Sequence, residues 1–255
     1  MPAIAQEGRS GNEVKFWRND ELEVHTASRL AEYERKTGRK VEPPIPVEKL
    51  AEVLFDLRFS YEPLDVPLDM FVPAALRPEI KTIVVNERHR AVFTEKPGVE
   101  RFSVGHEVGH WDLFEKDKDT RTGSLFGASD AEGSVHYRTA GGVPVKYVKG
   151  LWSNDGRYEV LSFLQRSCDA PDVASAVERY SSALLMPKYL LLPILDRIDA
   201  TRWSNLYRVA EQFGVTISAL TTRLRRLGHT HVTEDGKPFS GTKAEHAGQQ
   251  RMFSC

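Results

Sequence analysis

Two histidines, four residues apart, flank a glutamate in the segment Arg101–Phe114, whose sequence is RFSVGHEVGHWDLF. His106, Glu107 and His110 form the pattern H-E-x-x-H. In a helix, residues four apart lie on one face, so both imidazoles can reach one metal ion with the Glu107 carboxylate beside it. Zinc suits two neutral imidazoles and one oxygen ligand, and leaves a position for water whose pKa falls to about 7. Glu107 can take the proton of that water. The motif therefore predicts a hydrolytic site holding one Zn²⁺ per chain.

The residues around the motif indicate a largely buried helix. Apolar side chains fill the positions between and after the histidines, namely Phe102, Val104, Val108, Leu113 and Phe114. Gly109 costs about 1 kcal/mol relative to alanine in a helix, which predicts that another element approaches closely there. The alternative is a pair of histidines on an ordinary amphipathic helix, with no metal.

A third ligand is sought on a later helix, predicted from about Asp172, near its N-cap, to Met186, before Pro187. One face of this helix carries Glu178 together with small residues such as Ser181. Small side chains there and Gly109 on the motif helix would let the two backbones come close. We therefore predict Glu178 as the third ligand, with Asp172 in reserve; the alternative for Glu178 is a solvated helix glutamate.

The segments before the motif supply elements that can position it. Residues 1–18 are predicted as a flexible leader, and residues 58–79, with four prolines, as short extended pieces and loop. Periodicity and stop signals predict a helix from Asn19 or Asp20 to about Lys36, ending at Gly38, and a second helix over Val47–Leu57. A hairpin is predicted from Lys81–Asn86 and Ala91–Thr94, followed by a break at Pro97 and Gly98.

After the motif, a Gly- and Ser-rich insertion spans about residues 123–165 and contains a predicted edge strand, Val143–Val148, and a loop histidine, His136. Residues 196–228 have the outline of a helix-turn-helix, with Gly214 in the turn. Arg223 and Arg226 make its second helix locally basic and are the candidate DNA contacts; a helical hairpin that packs on the catalytic part is the favoured alternative. Residues 229–255 are polar and predicted disordered.

Composition restricts the class of protein. The chain has 255 residues, 40% hydrophobic and 28% charged, which is typical of a globular protein. A net charge of -1 gives no global attraction to nucleic acid or to anionic membranes. Two cysteines, Cys168 and Cys255, imply no disulfide framework. We expect a soluble cytoplasmic protein with no membrane association, since no apolar stretch is long enough to span a bilayer.

Four segments in this order resemble the ImmA/IrrE metallopeptidases, and the resemblance covers most of residues 41–228. They are TIVVN at 82–86, RFSVGHEVGH at 101–110, ALLMP at 183–187, and VAEQFGVT at 209–216 followed by RLRRLG at 223–228. The resemblance implies an α+β fold: a zincin-like metallopeptidase core over residues 19–195, mostly helical with a small sheet, and then the helix-turn-helix-like subdomain.

The same resemblance implies zinc or a similar divalent ion at His106 and His110, with Glu107 as general base. Its members act on transcriptional repressors, so the implied substrate is a folded regulatory protein whose cleavage relieves repression in a stress or mobile-element response. The chain departs from the family pattern in two places. Ala174 and Glu178 stand where the family has an acidic residue and an Asn or Asp, and the insertion before the last metal-binding helix is longer.

Three functions remain open from the sequence. The first is a zinc-dependent metalloendopeptidase. The second is a regulatory DNA- or protein-binding module whose peptidase site is vestigial or senses metal. The third is a small-molecule amidase that uses the same residues.

Overall fold

The structure, a computed structural model, describes residues 17–65, 71–116, 171–242 and 245. The leader up to residue 16, the insertion with Val143–Val148 and His136, and residues 246–255 lie outside this part. The fold is α+β and mostly helical. The helices are α1 Asn19–Thr37, α2 Val47–Phe55, α3 Arg90–Glu95, α4 Pro97–His110, α5 Pro171–Leu185, α6 Lys188–Leu195, α7 Trp203–Phe213 and α8 Ile217–Arg226; the strands are β1 Arg58–Glu62, β2 Ala74–Arg77, β3 Thr82–Asn86, β4 Thr230–Val232 and β5 Pro238–Ser240.

Helix α1 confirms the predicted start and stop. Acidic residues lie in its first turn and basic residues in its last, which complements the helix dipole. Gly38 ends the helix in the left-handed region at φ 69° and donates its backbone N–H to the Glu34 carbonyl. Helix α2 begins at Val47 as predicted but ends at Phe55, because Asp56 takes a left-handed conformation at φ 57°.

The small sheet has the order β1-β3-β2, and β3 lies at its centre. Strand β3 pairs in parallel with β1 and antiparallel with β2. All five of its residues are buried, which suits a strand with neighbours on both sides. The predicted hairpin is wrong, because Ala91–Thr94 belongs to helix α3. The Asn86 side chain accepts a hydrogen bond from the Arg88 backbone N–H, and this cap starts a helical turn where the hairpin would have needed a second strand.

Helix α4 carries the H-E-x-x-H motif and begins at Pro97, where we predicted a break. Proline is favourable at the first helical position because its missing N–H would have no partner there. Gly98 follows, and a Cβ atom on it would lie 2.6 Å from the backbone nitrogen of Thr216. The chain after His110 continues as a π-helical turn, Trp111–Glu115, closed by the Lys116 N–H to the Trp111 carbonyl at 3.0 Å.

Helices α7 and α8 form the predicted helix, glycine turn and helix over residues 196–228. Gly214 ends α7 at φ 62°, and the Thr216 hydroxyl caps α8 by accepting from the Ala219 N–H. Buried residues of the pair, including Leu206 and Leu220, belong to the same hydrophobic core as those of α1, α4 and α5. The two helices are thus packed into the rest of the described fold.

The prediction of disorder after residue 228 is wrong for the segment that follows α8. Strands β4 and β5 pair there as an antiparallel hairpin. The rings of His231 and Phe239 pack with their centroids 5.2 Å apart, and the Trp203 indole donates to the Gly236 carbonyl at 3.0 Å. The ring contact holds the hairpin together and the hydrogen bond joins it to α7, so the segment is ordered despite its polar composition. Within the described ranges, none of the helices has the length and hydropathy needed to cross a bilayer.

Candidate metal centre

The two motif histidines direct the same ring atom toward each other. The Nε2 atoms of His106 and His110 lie 3.1 Å apart, and His106 is buried with 6% of its surface exposed. Two nitrogens bound to one tetrahedral zinc at about 2.05 Å are about 3.3 Å apart. The observed spacing therefore fits a shared metal ion, although a hydrogen bond between a donor and an acceptor nitrogen also has this length.

Helix α4 packs along α5, and two glycines set their separation. A Cβ atom on Gly109 would lie 3.1 Å from Val177 Cγ1 and 3.0 Å from Tyr180 Cδ1, and one on Gly105 would lie 2.6 Å from Ser181 Oγ. The close approach predicted from Gly109 is confirmed. Because Gly109 faces residue 177 and Gly105 faces residue 181, the two helices run antiparallel.

This register places Glu178 on the side of the histidines. Successive residues of a helix lie about 100° apart around its axis, so each side chain can be assigned to one of the two flanks of the α4–α5 contact. One flank holds Asp112 of the π-helical turn, which the Tyr180 hydroxyl reaches at 2.9 Å. The opposite flank holds His106 and His110 on one helix and Glu178 on the other. Along the axis, Glu178 lies at the level between the two histidines.

The Glu178 carboxylate is buried, with 3% of the residue exposed. Its Oε2 accepts a hydrogen bond from Arg226 at 3.2 Å, while Oε1 is buried and has no hydrogen-bond partner. Burial raises the pKa of Glu178, and the Arg226 guanidinium offsets part of that rise. A buried, unsatisfied carboxylate oxygen is costly, and a bound ion or water is among the partners that account for such an atom.

The structure does not, however, group three ligands. Among the residues it describes, no three His, Cys, Asp or Glu side chains stand close enough to hold a metal ion together. The backbone register brings Glu178 to the correct side and level, but its side chain contacts Arg226. Asp172 belongs to the first turn of α5, and its side chain lies outside the described part. The identity of the third ligand stays a prediction.

Glu107 lies half-buried on the side of α4 turned away from α5. Glu100 precedes it by about two turns on the same side, and there it lines a cavity of about 330 Å³ together with Tyr61, Val85 and Phe93. Burial raises the pKa of Glu100, and the nearby Glu48 charge adds to the rise. This cavity lies on the same face of α4 as the predicted general base, about two turns before it, and Glu107 does not line it.

A buried carboxylate that the sequence interpretation missed lies just after the motif. Asp112 has a fully buried side chain and binds three basic residues: His25 at 2.8 Å, Arg29 at 2.9 Å and Lys116 at 2.6 Å. The Tyr180 hydroxyl donates a further hydrogen bond at 2.9 Å. Burial alone would raise the pKa of Asp112, but the hydrogen bonds from His25, Arg29 and Lys116 outweigh it and hold the pKa well below its ordinary value.

Asp112 thus ties α1 and α5 to the end of the motif helix. The π-helical turn that contains Asp112 starts directly after His110, so the network also fixes the chain that leaves the motif. A sequence signal was available, because Asp112 stands four and eight residues after the apolar Val108 and Val104, on the face that the motif helix buries.

The two arginines predicted to contact DNA point into the protein. Arg223 is 3% exposed; it pairs with the Glu23 carboxylate and donates to the Met186 carbonyl at 3.0 and 3.2 Å. A buried guanidinium cannot reach a phosphate, so Arg223 does not fit that prediction. Arg226, whose side chain is 25% exposed, pairs with Glu178. The placement of both arginines agrees with the alternative of a helical hairpin that packs on the rest of the described fold.

No protein-family model and no curated protein matches this chain. The resemblance to the ImmA/IrrE metallopeptidases therefore depends on the four sequence segments that carry it.

Proposed function

We propose that this protein is a zinc-dependent metalloendopeptidase of the ImmA/IrrE type that cleaves a regulatory protein. The supporting observation is the Nε2–Nε2 distance of 3.1 Å between two histidines held one turn apart on a packed helix. The glutamate that follows the first histidine completes the hydrolytic motif. The choice of a transcriptional repressor as substrate comes from the family resemblance alone.

His106 and His110 would hold the metal ion, and Glu178 is the proposed third ligand. When bound, zinc polarises a peptide carbonyl and lowers the pKa of a coordinated water. The Glu107 carboxylate would take a proton from the attacking water and pass it to the departing amine nitrogen. The glycine contact between α4 and α5 and the Asp112 network fix the helix that carries these groups, which favours a preorganised site.

The test compares the wild-type protein with Glu107→Gln, a His106→Ala/His110→Ala double variant, and Glu95→Gln as an exposed-glutamate control on the preceding helix. Each purified protein is incubated with zinc and with repressors encoded near its own gene, and fragments are identified by mass spectrometry. We expect cleavage by wild type and by Glu95→Gln only. Glu107→Gln should still bind zinc, whereas the double-histidine variant should not.

A second candidate is a regulatory module whose peptidase site is vestigial or senses metal. The pairing of Glu178 with Arg226, in place of a three-ligand group, favours it. The Glu107→Gln variant separates the two candidates in cells. If a zinc-dependent change in gene expression survives this substitution at wild-type strength, the hydrolytic function is excluded and metal sensing is supported.

A further inference from the structure

We propose that the cavity lined by Tyr61, Phe93 and Glu100 binds a guanidinium group, carried either by a free small molecule or by an arginine side chain of another protein. The inference goes beyond the proposed function, because it needs neither the metal ion nor Glu107. It depends on the position, the lining and the charge of this one cavity.

The cavity lies where two parallel strands end. Tyr61 on β1 and Val85 on β3 are paired in the sheet, each one residue before the end of its strand, and Glu87 directly follows β3. All three line the cavity, together with Phe93 of α3 and Glu100 of α4. Ligands of α/β sheets bind in crevices at the carboxyl ends of the strands, and a volume of about 330 Å³ suits a small molecule or one long side chain.

The two arginines beside the cavity are directed to other groups. Arg101 donates a hydrogen bond to the Ile45 backbone carbonyl. Arg90 lines the cavity, but its side chain is 82% exposed and pairs with Glu87 at 4.0 Å. Within the described part of the chain, neither of these cations therefore forms an ion pair with Glu100.

Glu100 is left with a neutral hydrogen-bond partner, because the Tyr61 hydroxyl donates to its carboxylate. Burial and the charge of Glu48 raise the pKa of Glu100, and the Arg101 charge offsets only part of that rise. Burial also raises the pKa of Tyr61, and the charges of Glu100 and Glu48 add to it. A cation in the cavity would supply the counter-charge that both groups lack.

The lining favours a guanidinium over other ions. A guanidinium is planar, donates a fork of hydrogen bonds to a carboxylate and packs its flat face on aromatic rings. The cavity offers the Glu100 carboxylate, the rings of Tyr61 and Phe93, and Val85 for an apolar stem. An ammonium group has no flat face, so we expect it to bind less tightly, and the two glutamates that line the cavity would repel an anion.

The test measures binding to the full-length chain by isothermal titration calorimetry at pH 7.5. The probes are Nα-acetyl-argininamide, its lysine analogue, and its citrulline analogue, which has nearly the same shape but no charge. We expect the arginine probe to bind about tenfold or more tighter than the citrulline probe, because a hydrogen bond to a charged group is lost with the charge. The lysine probe should fall between them.

Two further probes distinguish the sources of the group. Agmatine represents a free guanidino compound, and a short glycine–serine peptide with one central arginine represents a protein. If agmatine binds at least as tightly as the peptide, the ligand is a small molecule. If the peptide binds more tightly, the ligand is an arginine side chain.

Variants assign the binding to this cavity. Glu100→Gln should weaken the arginine probe about tenfold or more while melting no lower than wild type, because it removes an uncompensated carboxylate. Tyr61→Ala, at a residue that is 55% exposed, should weaken it about two- to fivefold through the lost ring. Glu95→Gln changes a glutamate that does not line the cavity and is the matched control, with binding like wild type.

The inference is overturned if the arginine probe binds no more tightly than the citrulline probe, or if Glu100→Gln binds the arginine probe like wild type. Neither result bears on the proposed peptidase, because His106, Glu107 and His110 do not line the cavity. Failure of the proposed function looks different, since cleavage would survive Glu107→Gln.

Discussion

The Asp112 network predicts a large loss of stability from a single isosteric change. Asp112→Asn keeps the shape of the side chain but replaces one acceptor oxygen by a donor and removes the buried negative charge. In the wild-type protein, four side chains bind that carboxylate at 2.6–2.9 Å: His25 and Arg29 of α1, Tyr180 of α5, and Lys116 at the end of the π-helical turn. After the substitution, a donor NH₂ group would face some of these donors, and the cations would lose their buried counter-charge.

The expected cost follows from the burial of each partner. A hydrogen bond to a charged group contributes about 1.5–3 kcal/mol, and breaking a buried ion pair costs about 3–5 kcal/mol. The three basic partners are 20–26% exposed, so water can take over part of their hydration. We therefore expect a loss near the lower end, about 3 kcal/mol, which lowers the melting temperature by about 6–12 °C for a chain of this size.

The assay is urea unfolding of the metal-free protein at pH 7, followed by circular dichroism. Asp196→Asn, at an exposed position after α6, is the control and should change the free energy of unfolding by less than about 0.5 kcal/mol. Tyr180→Phe removes one neutral donor and should cost about 1 kcal/mol. A value for Asp112→Asn within about 1 kcal/mol of wild type would refute the assignment of Asp112 as the point that joins α1 and α5 to the motif helix.

Three other substitutions test separate contacts. Gly98→Ala places a Cβ atom 2.7 Å from the Val215 carbonyl carbon, a backbone atom that cannot yield, so it should destabilise the protein by about 2 kcal/mol in urea unfolding. Glu100→Gln should stabilise the protein at pH 7, by about 0.5 kcal/mol for a partly screened group. Because the folded pKa of Glu100 is raised, this gain should vanish as the pH falls below the unfolded value near 4.3 in melts from pH 7 to 3.5; a gain that persists at pH 3.5 would contradict it. Arg223→Ala should cost about 2–3 kcal/mol by leaving Glu23 and a carbonyl without their donor, and should leave binding to duplex DNA in a mobility-shift assay unchanged.

The placement of α8 differs from that expected of a helix that contacts DNA. If the helix read bases or phosphates, its basic residues would lie on a free surface. Instead Arg223 and Arg226 bind groups at the end and in the middle of α5. A displacement of α8 would therefore break the pair between Arg226 and Glu178.

Local sequence determined helices α1, α7 and α8 and the spacing of the two motif histidines. The period of apolar residues and the stop at Gly38 gave α1 nearly to the residue, and the glycine turn at Gly214 gave the division between α7 and α8, because helices depend on contacts between near neighbours. The spacing of His106 and His110 fixed their common face for the same reason. The prediction from sequence was wrong where contacts between segments distant in the chain determine the structure. Ala91–Thr94 has a strand-like composition but is helical, and β3 pairs with β1 and β2 instead.

Only the tertiary structure decided how the long-range charges pair. Asp112, Arg223 and Glu178 are all buried, yet each finds its partners on another helix. No local pattern identifies such partners, because a salt bridge depends on the packing angle and register of two helices. The sequence identified which residues could do chemistry on this chain. The glycine-set contact between α4 and α5 placed Glu178 on the same flank of the helix pair as the histidines, and the anchoring of α8 turned an arginine predicted for DNA toward that glutamate.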